Sequence, residues 1–501
     1  MNKFKKVARG SILIFFGSIL GSLFAYFTRM VLTRKISVQD YGLLAAVFSF
    51  VTLFEIFRNL GIYSALIKYV AQSFALQKKE EGKKIILVSI LTETLLAGVI
   101  ALILKSFDTF LALHYFKQPF ATFVLNWLLI YFILETISSG IHHSFLGIEK
   151  AEFFLFKKPL LNILSFIFVI LLPIKDARLP IIAQVIGLGG VVVISSYFFF
   201  RSFRPLVKIH WSDFKIFLPK LLKFGIPTMI ASMGAMAIAQ FDTLMLTYLR
   251  TLKEVGIYNV VLPTALILGF IGDAVSRVIF PLTSELEAKK EFSKIEKGLF
   301  TAYRFTLVPA VLISLPLLLF PGFILGLFFG NDYIVGGRAL QILLIGVLFS
   351  IIGGINLSTI YGLGYPKFGA KVTLGAALLN IGLNLFLIPQ FGIMGAAIAT
   401  FFSYFLIALL SFWFLQRKIK MSFPVKFFSY LFLAWLIAFA FGNFGIKSLF
   451  ENFSPLWQAI YGSILTGVVF VLLVLALKIF QFQDFYRILS IFKISKNNEQ
   501  K

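Results

Sequence analysis

The sequence predicts an all-α polytopic membrane protein with about fourteen transmembrane helices. Three observations predict it: an apolar excess, apolar runs at regular intervals, and basic residues gathered between those runs. Of 501 residues, 59% are hydrophobic and 14% charged, against roughly 45–50% and about 25% in soluble domains. A soluble chain of this size lacks the polar surface to cover such a core, so a soluble enzyme and a disordered protein are excluded. The formal charge of +25 would suggest nucleic acid on a soluble chain. Here the basic residues punctuate apolar segments, as they do where they orient a membrane protein, and no nucleic-acid partner is expected. With no cysteine, disulfide and thiolate chemistry are excluded. The four histidines form no metal-binding pattern.

A membrane-spanning helix needs about 20 mostly apolar residues. Runs of that kind cover Ala8–Leu32, Tyr41–Leu66, Ile85–Leu104, Phe120–Ile141, Phe153–Leu172 and Leu179–Phe200. Six more cover Leu221–Leu249, Val255–Phe280, Leu299–Phe320, Ala339–Tyr361, Phe368–Ile388 and Gly392–Leu415. Val425–Phe441 and Leu456–Leu477 complete the set. The first run is too long, and followed by too many others, to be a cleaved signal peptide. Lys and Arg in the connections set the orientation. With the N-terminus in the cytoplasm, the inside segments sum to +22 and the outside loops to +4. Both termini are therefore expected in the cytoplasm, with the protein in the cytoplasmic membrane. The outside loops are short, leaving no external domain.

The chain also repeats. LTRKISVQDYGLL from Leu32 aligns with LTYLRTLKEVGIY from Leu246 at an offset of 214, matching Asp40 to Glu254 and Gly42 to Gly256. KKEEGKK at Lys78 then resembles KIEKGLF at Lys294, Leu146-Gly147 matches Leu363-Gly364, and Leu160–Asn162 matches Leu378–Asn380. The offset drifts only to 218. The repeat holds six spans, an even number, so both copies face the same way, a parallel plan used by alternating-access transporters. The expected organisation is a lobe over 1–215, a second over 216–420 around a central cavity, and two extra helices with a cytoplasmic tail over 421–501.

Twelve spans in two parallel halves plus two more, with an opening KKVARGSILIFFGSILGSLFAYFTRMVLTRKISVQDYGLL that runs on through Ala71, resemble the polysaccharide transporter family. These are the Wzx-like oligosaccharide and O-antigen flippases of the multidrug/oligosaccharidyl-lipid/polysaccharide (MOP) superfamily. The resemblance covers essentially the whole chain. It implies a flippase for a polyprenyl-pyrophosphate-linked oligosaccharide, a non-enzyme that meets its lipid substrate within the membrane. A monomer is expected, open to association with polysaccharide assembly proteins. The alternatives within transport are a MATE-like drug or metabolite exporter and a lipid II flippase. A membrane glycosyltransferase or polymerase would need clustered acids or a sizeable outer loop, which the chain lacks. No Walker pattern occurs, so ATP does not drive the step directly.

Charges within spans are costly and mark pathways. Glu55 and Arg58 lie three apart in the second span, Asp273 and Arg277 four apart in the eighth, at near-equivalent places in the repeats. A pyrophosphate entering from the cytoplasm needs fixed positive charge, and the Arg fork supplies it. Arg58 and Arg277 are the expected contacts, with Glu55 and Asp273 holding them. Arg29, near the outer end of its span, is either a later phosphate contact or snorkels to headgroups. Lys157, Lys158 and Arg304 begin spans and are expected to snorkel. Glu93 and Glu135 are expected in polar packing, and His142 with His143 at the interface.

No resident cofactor is expected beyond a coupling ion. Asp242 in the seventh span, Asn380 and Asn384 four apart in the eleventh, and Thr400 in the twelfth reach similar depths at 1.5 Å per residue. They offer hard oxygen donors suited to a small cation. The resemblance implies a sodium site: in the lipid II flippase, sodium is held by an aspartate, two residues four apart, a backbone carbonyl and a threonine on these helices. Asp242, Asn380, Asn384, Ala396 and Thr400 match in order and spacing. Asn384 stands where that relative has an acid, which leaves one formal negative charge and keeps a proton open as the coupling ion.

Overall fold

The computed structural model describes residues 3–205, 207–422, 424–446, 449–450 and 453–480. Every regular element among them is helical. In order they are α1 (Lys3–Lys35), α2 (Val38–Leu53), α3 (Glu55–Asn59), α4 (Ile62–Ala75), α5 (Lys79–Ser106), α6 (Ala121–Gly147), α7 (Ala151–Leu171), α8 (Arg178–Ser202) and α9 (Trp211–Leu249). They continue as α10 (Leu252–Leu266), α11 (Gly269–Ala288), α12 (Phe292–Leu319), α13 (Pro321–Phe329), α14 (Gly337–Gly362), α15 (Pro366–Phe391), α16 (Ile393–Ile419), α17 (Val425–Ala440) and α18 (Pro455–Ala476).

Among the described residues, ten helices are long and apolar enough to cross a membrane, and twelve if each of two bent pairs is one span. α9 is one such pair, bent by 52° between Ile230 and Ser232. The first and fifth predicted spans fold as α1 and α7, helices of 33 and 21 residues that stand outside that count. Large apolar side chains point outward along the helices, among them Leu102, Val193 and Phe386, each 70% exposed or more. Such a surface fits a hydrocarbon solvent. At the start of α9, the His210 backbone N–H and the Lys84 ammonium donate to the Asp213 carboxylate at 2.9 and 3.0 Å.

The helices gather into two compact units. The first comprises Met1–Val260, Phe328–Tyr333 and Thr373–Ala399; the second comprises Val261–Leu327, Ile334–Val372 and Thr400–Lys501. In the first, α1 lies along α7, α6 packs between α5 and α8, and α9 leans on α2, α4 and α5. The predicted continuous span Tyr41–Leu66 is broken there. Leu60 and Gly61 adopt left-handed φ values of 46° and 72°, ending α3 and restarting the chain as α4. The reason is steric. A Cβ on Gly61 would lie 2.0 Å from the Gly225 carbonyl oxygen, so the kink lets α9 touch bare backbone.

α2 and α10 cross in the same unit at two glycines. A Cβ on Gly42 would lie 1.8 Å from the Leu252 carbonyl oxygen, and one on Gly256 would lie 2.3 Å from that of Val38. The pairs 42/256 and 38/252 both obey the repeat offset of 214. Each copy's glycine thus meets the other copy's carbonyl, a contact with the symmetry of the duplication.

The second unit packs α11 against α14, with Gly272 on Ile351 and Gly362 on the Phe280 carbonyl. Its core includes Tyr303, Leu307, Ile355, Leu415 and Phe470. The Tyr303 hydroxyl donates to Asn356 Oδ1, and Asn356 Nδ2 donates to Ser411 Oγ at 3.1 Å, fastening α12, α14 and α16.

Either Gly42→Val or Gly256→Val should force α2 and α10 apart. Overpacking of this kind costs about 1–3 kcal/mol, so both variants should lower the thermal unfolding midpoint of detergent-purified protein. An unchanged midpoint in both would mean that the crossing contributes nothing.

Candidate functional site

Three polar constellations lie inside the first unit. The first is a cavity of about 300 Å³ walled by residues of α1, α2, α6, α7, α8 and α10. Its polar lining includes Arg29, Tyr41, Tyr131, Asn162, Gln184 and Asn259. Arg29 does not snorkel to the surface: its Nε donates to Tyr41 Oη at 2.9 Å within this wall. Asn162 Nδ2 donates to the Gly21 carbonyl at 2.8 Å, and Asn259 Nδ2 to the Val255 carbonyl at 3.0 Å and Thr243 Oγ1 at 3.2 Å. Phe48 sets its ring edge-on to Tyr131 at 5.9 Å. Of these lining residues, Arg29 alone was legible as a site residue. Asn162, Gln184 and Asn259 are lone polar residues in separate apolar spans, a signal visible only once the helices converge.

The second constellation is a charge cluster where α3, α4, α5, α6 and α7 meet. Arg58 is 2% exposed. Its Nη2 lies 3.5 Å from Glu55, its Nη1 donates to Tyr63 Oη at 3.0 Å, and its guanidinium stacks over Phe132 at 5.0 Å. Arg58 is therefore enclosed and engaged with Glu55 and Tyr63. Lys157 does not snorkel either: it donates to Glu135 at 2.5 Å and to Ser139 Oγ at 2.6 Å. Glu93 is fully buried, with neither carboxyl oxygen hydrogen-bonded. The two histidines, expected at the interface, belong to the packing. His142 Nδ1 meets the Ser138 carbonyl and its Nε2 faces Ser195 Oγ, while His143 stacks on Tyr63 at 4.2 Å.

The third constellation surrounds Asp242, which is 1% exposed. Its carboxylate accepts from the Tyr258 hydroxyl and from Asn384 Nδ2 at 2.6 Å. The same Nδ2 reaches Asn380 Oδ1 at 3.1 Å. Asn384 Oδ1 is buried without a donor. Ala396 is fully buried in the first turn of α16, and Thr400, one turn later, is buried in the second unit. Asp242, Asn380 and Asn384 thus come together as the sequence led us to expect. The orphaned amide oxygen beside a carboxylate is a donor set that fits a hard cation. Tyr258 is the member that sequence reading missed.

Asp273 and Arg277 behave differently from the first pair. Both are exposed on α11, and among the described residues no salt bridge joins them. Four-residue spacing permits an ion pair but does not require one, because an exposed pair gains little over hydration.

The profile of the family described as "Polysaccharide biosynthesis protein" matches residues 7–287, more than half of the sequence. The chain belongs to this family. The MatE profile matches residues 227–386. An uncharacterised membrane protein of Methanocaldococcus jannaschii is 27% identical over 457 residues, 86% of this chain and 88% of that one. A Haloferax volcanii protein named "probable low-salt glycan biosynthesis flippase" is 22% identical over 79% of this chain and 81% of its own. The lipid II flippase MurJ, in an inward closed conformation, superposes with a TM-score of 0.74 at 18% identity, over 92% of this chain and 98% of that one. The fold is therefore that of MurJ.

The Glu135–Lys157 pair is the ion pair of the cluster most open to test. Lys157→Met strands a buried carboxylate, which costs about 3–5 kcal/mol, whereas neutralising both partners is close to neutral. The single variant should unfold at a clearly lower temperature, and the double variant Glu135→Gln/Lys157→Met should recover most of the loss. A single variant as stable as wild type would show that the pair does not hold α6 to α7.

Proposed function

We propose that this protein is a flippase that moves a lipid-linked oligosaccharide across the cytoplasmic membrane by alternating access. The observation that carries the reading is family membership over residues 7–287. A relative named as a glycan flippase and a parallel duplication of six spans support it. The finer reading is of fourteen spans with both termini in the cytoplasm, supported by the excess of basic charge in alternate loops. It includes a monomer that works beside polysaccharide assembly proteins, and no chemistry performed on the substrate.

Arg277, exposed and not salt-bridged to its neighbouring acid, is the pyrophosphate contact in this reading. Arg58 instead neutralises the buried acids of the first unit. Losing a charged hydrogen-bond partner costs on the order of 1.5–3 kcal/mol of binding. Arg277→Ala should therefore cut translocation at least tenfold while leaving the unfolding temperature unchanged. Arg277→Lys should recover part, because a point charge lacks the fork. The assay is proteoliposomes carrying a fluorescent polyprenyl-pyrophosphate oligosaccharide, bleached from outside by an impermeant reductant. If wild type fails to protect or expose this lipid and extrudes a cationic dye instead, the protein is an exporter, the second reading that the MatE match favours.

Ion coupling belongs to the same proposal. Asp242, Asn380, Asn384 and the Ala396 carbonyl would hold sodium, with Thr400 next on the same helix. A cation bound only by the folded state raises its stability with concentration. Sodium, against a potassium control, should raise the unfolding midpoint of wild type. Asp242→Asn should abolish the shift and Asn384→Asp should enlarge it. No sodium-specific shift in wild type or in Asn384→Asp would leave the cluster as helix packing and turn the search to protons.

A further inference from the structure

We propose that the Arg29 cavity of the first unit seats one acidic sugar ring, a hexuronate, of the transported oligosaccharide; this rests on the flippase reading above. The inference begins with charge. Arg29 is the sole ionisable cation among the cavity's lining residues, and no acid among the described residues lines it. Its Nε is committed to Tyr41 Oη, and its two Nη groups have no partner among the described residues, which leaves a planar fork. Such a fork matches a single carboxylate edge in bidentate fashion.

The neutral lining decides between a carboxylated sugar and a phosphate. Asn259 has spent both of its amide N–H groups on protein acceptors, and Asn162 one of its two. What Asn259 offers a guest is amide oxygen, and Asn162 offers its oxygen with one N–H. Phosphate oxygens only accept hydrogen bonds, so a pyrophosphate would bring its charge against acceptors and find one cation for several negative charges. Sugar hydroxyls donate as well as accept, so they satisfy these oxygens, and Gln184 can serve them in either sense. Tyr131 adds an aromatic face for the apolar side of a sugar ring. A volume of about 300 Å³ is at the low end for small-ligand pockets, room for one ring and not for a repeat unit. These groups give Arg29 a guest of a different class from the pyrophosphate that its span position suggested.

The test is calorimetric titration of the purified full chain with sodium glucuronate, glucose and inorganic pyrophosphate. Glucuronate should bind saturably, at least tenfold tighter than glucose. Arg29→Gln should weaken glucuronate about tenfold or more and leave glucose where it was. Arg29→Lys should fall between, and Asn259→Ala should weaken both sugars. Unfolding temperatures of the variants within a few degrees of wild type would show that they fold. Absence of glucuronate binding to wild type overturns the proposal, as does Arg29-dependent binding of pyrophosphate in preference to glucuronate. The flippase reading fails separately, if wild type binds glucuronate yet translocates no lipid-linked oligosaccharide in proteoliposomes.

Discussion

Bare backbone contact between α2 and α10, at Gly42 and Gly256, is the constraint on which the interior of the first unit depends. Neither position tolerates a side chain, because each faces a carbonyl oxygen within the radius of a methyl group. With the two helices pressed together, the residues beside the glycines are fixed as well. Tyr41, next to Gly42, braces Arg29. Asn259, three residues past Gly256, completes the opposite wall of the same cavity. A polar chamber in an apolar medium must satisfy its own groups, and here the close crossing brings the partners within reach.

A second bare-backbone contact, Gly61 against the Gly225 carbonyl, governs the charge cluster. Arg58, Glu55, Glu135 and Lys157 come from three helices, α3, α6 and α7, and none could be carried into hydrocarbon alone at acceptable cost. They are tolerated because the kink at Leu60–Gly61 turns α3 inward and leaves Arg58 in its last turn, where a cation also suits the helix C-terminus. The enclosed Arg58 and the open Arg277 occupy related places in a duplicated chain. Duplication copied the residue types, and later packing gave the two copies different surroundings.

The spans were legible in the sequence because twenty apolar residues leave few alternatives. The repeat was legible too, and its offset of 214 reappears as the 42/256 and 38/252 contacts. The Asp242, Asn380 and Asn384 cluster could be read because each is a hard-oxygen donor at a computable depth. The break at Leu60–Gly61 could not: glycine is common in membrane helices, and only the Gly225 backbone explains this one. Lys157 and His142 were misjudged because position near a span end does not reveal whether a neighbouring helix offers serine and glutamate. Asn162 stood out only as the repeat partner of Asn380, and Gln184 gave no pattern, since a cavity wall drawn from six helices has no spacing along the chain.

One feature of α10 couples two of these places. Tyr258 donates to the Asp242 carboxylate, and the very next residue, Asn259, lines the Arg29 cavity while holding Thr243, the neighbour of Asp242. Successive residues on a helix point about 100° apart, so a single turn presents one side chain to the carboxylate cluster and the other to the chamber. Both ride on one rigid piece of backbone. A shift or rotation of α10 that widens the chamber must also pull on the carboxylate, and whatever tightens the carboxylate cluster must set the position of the chamber wall.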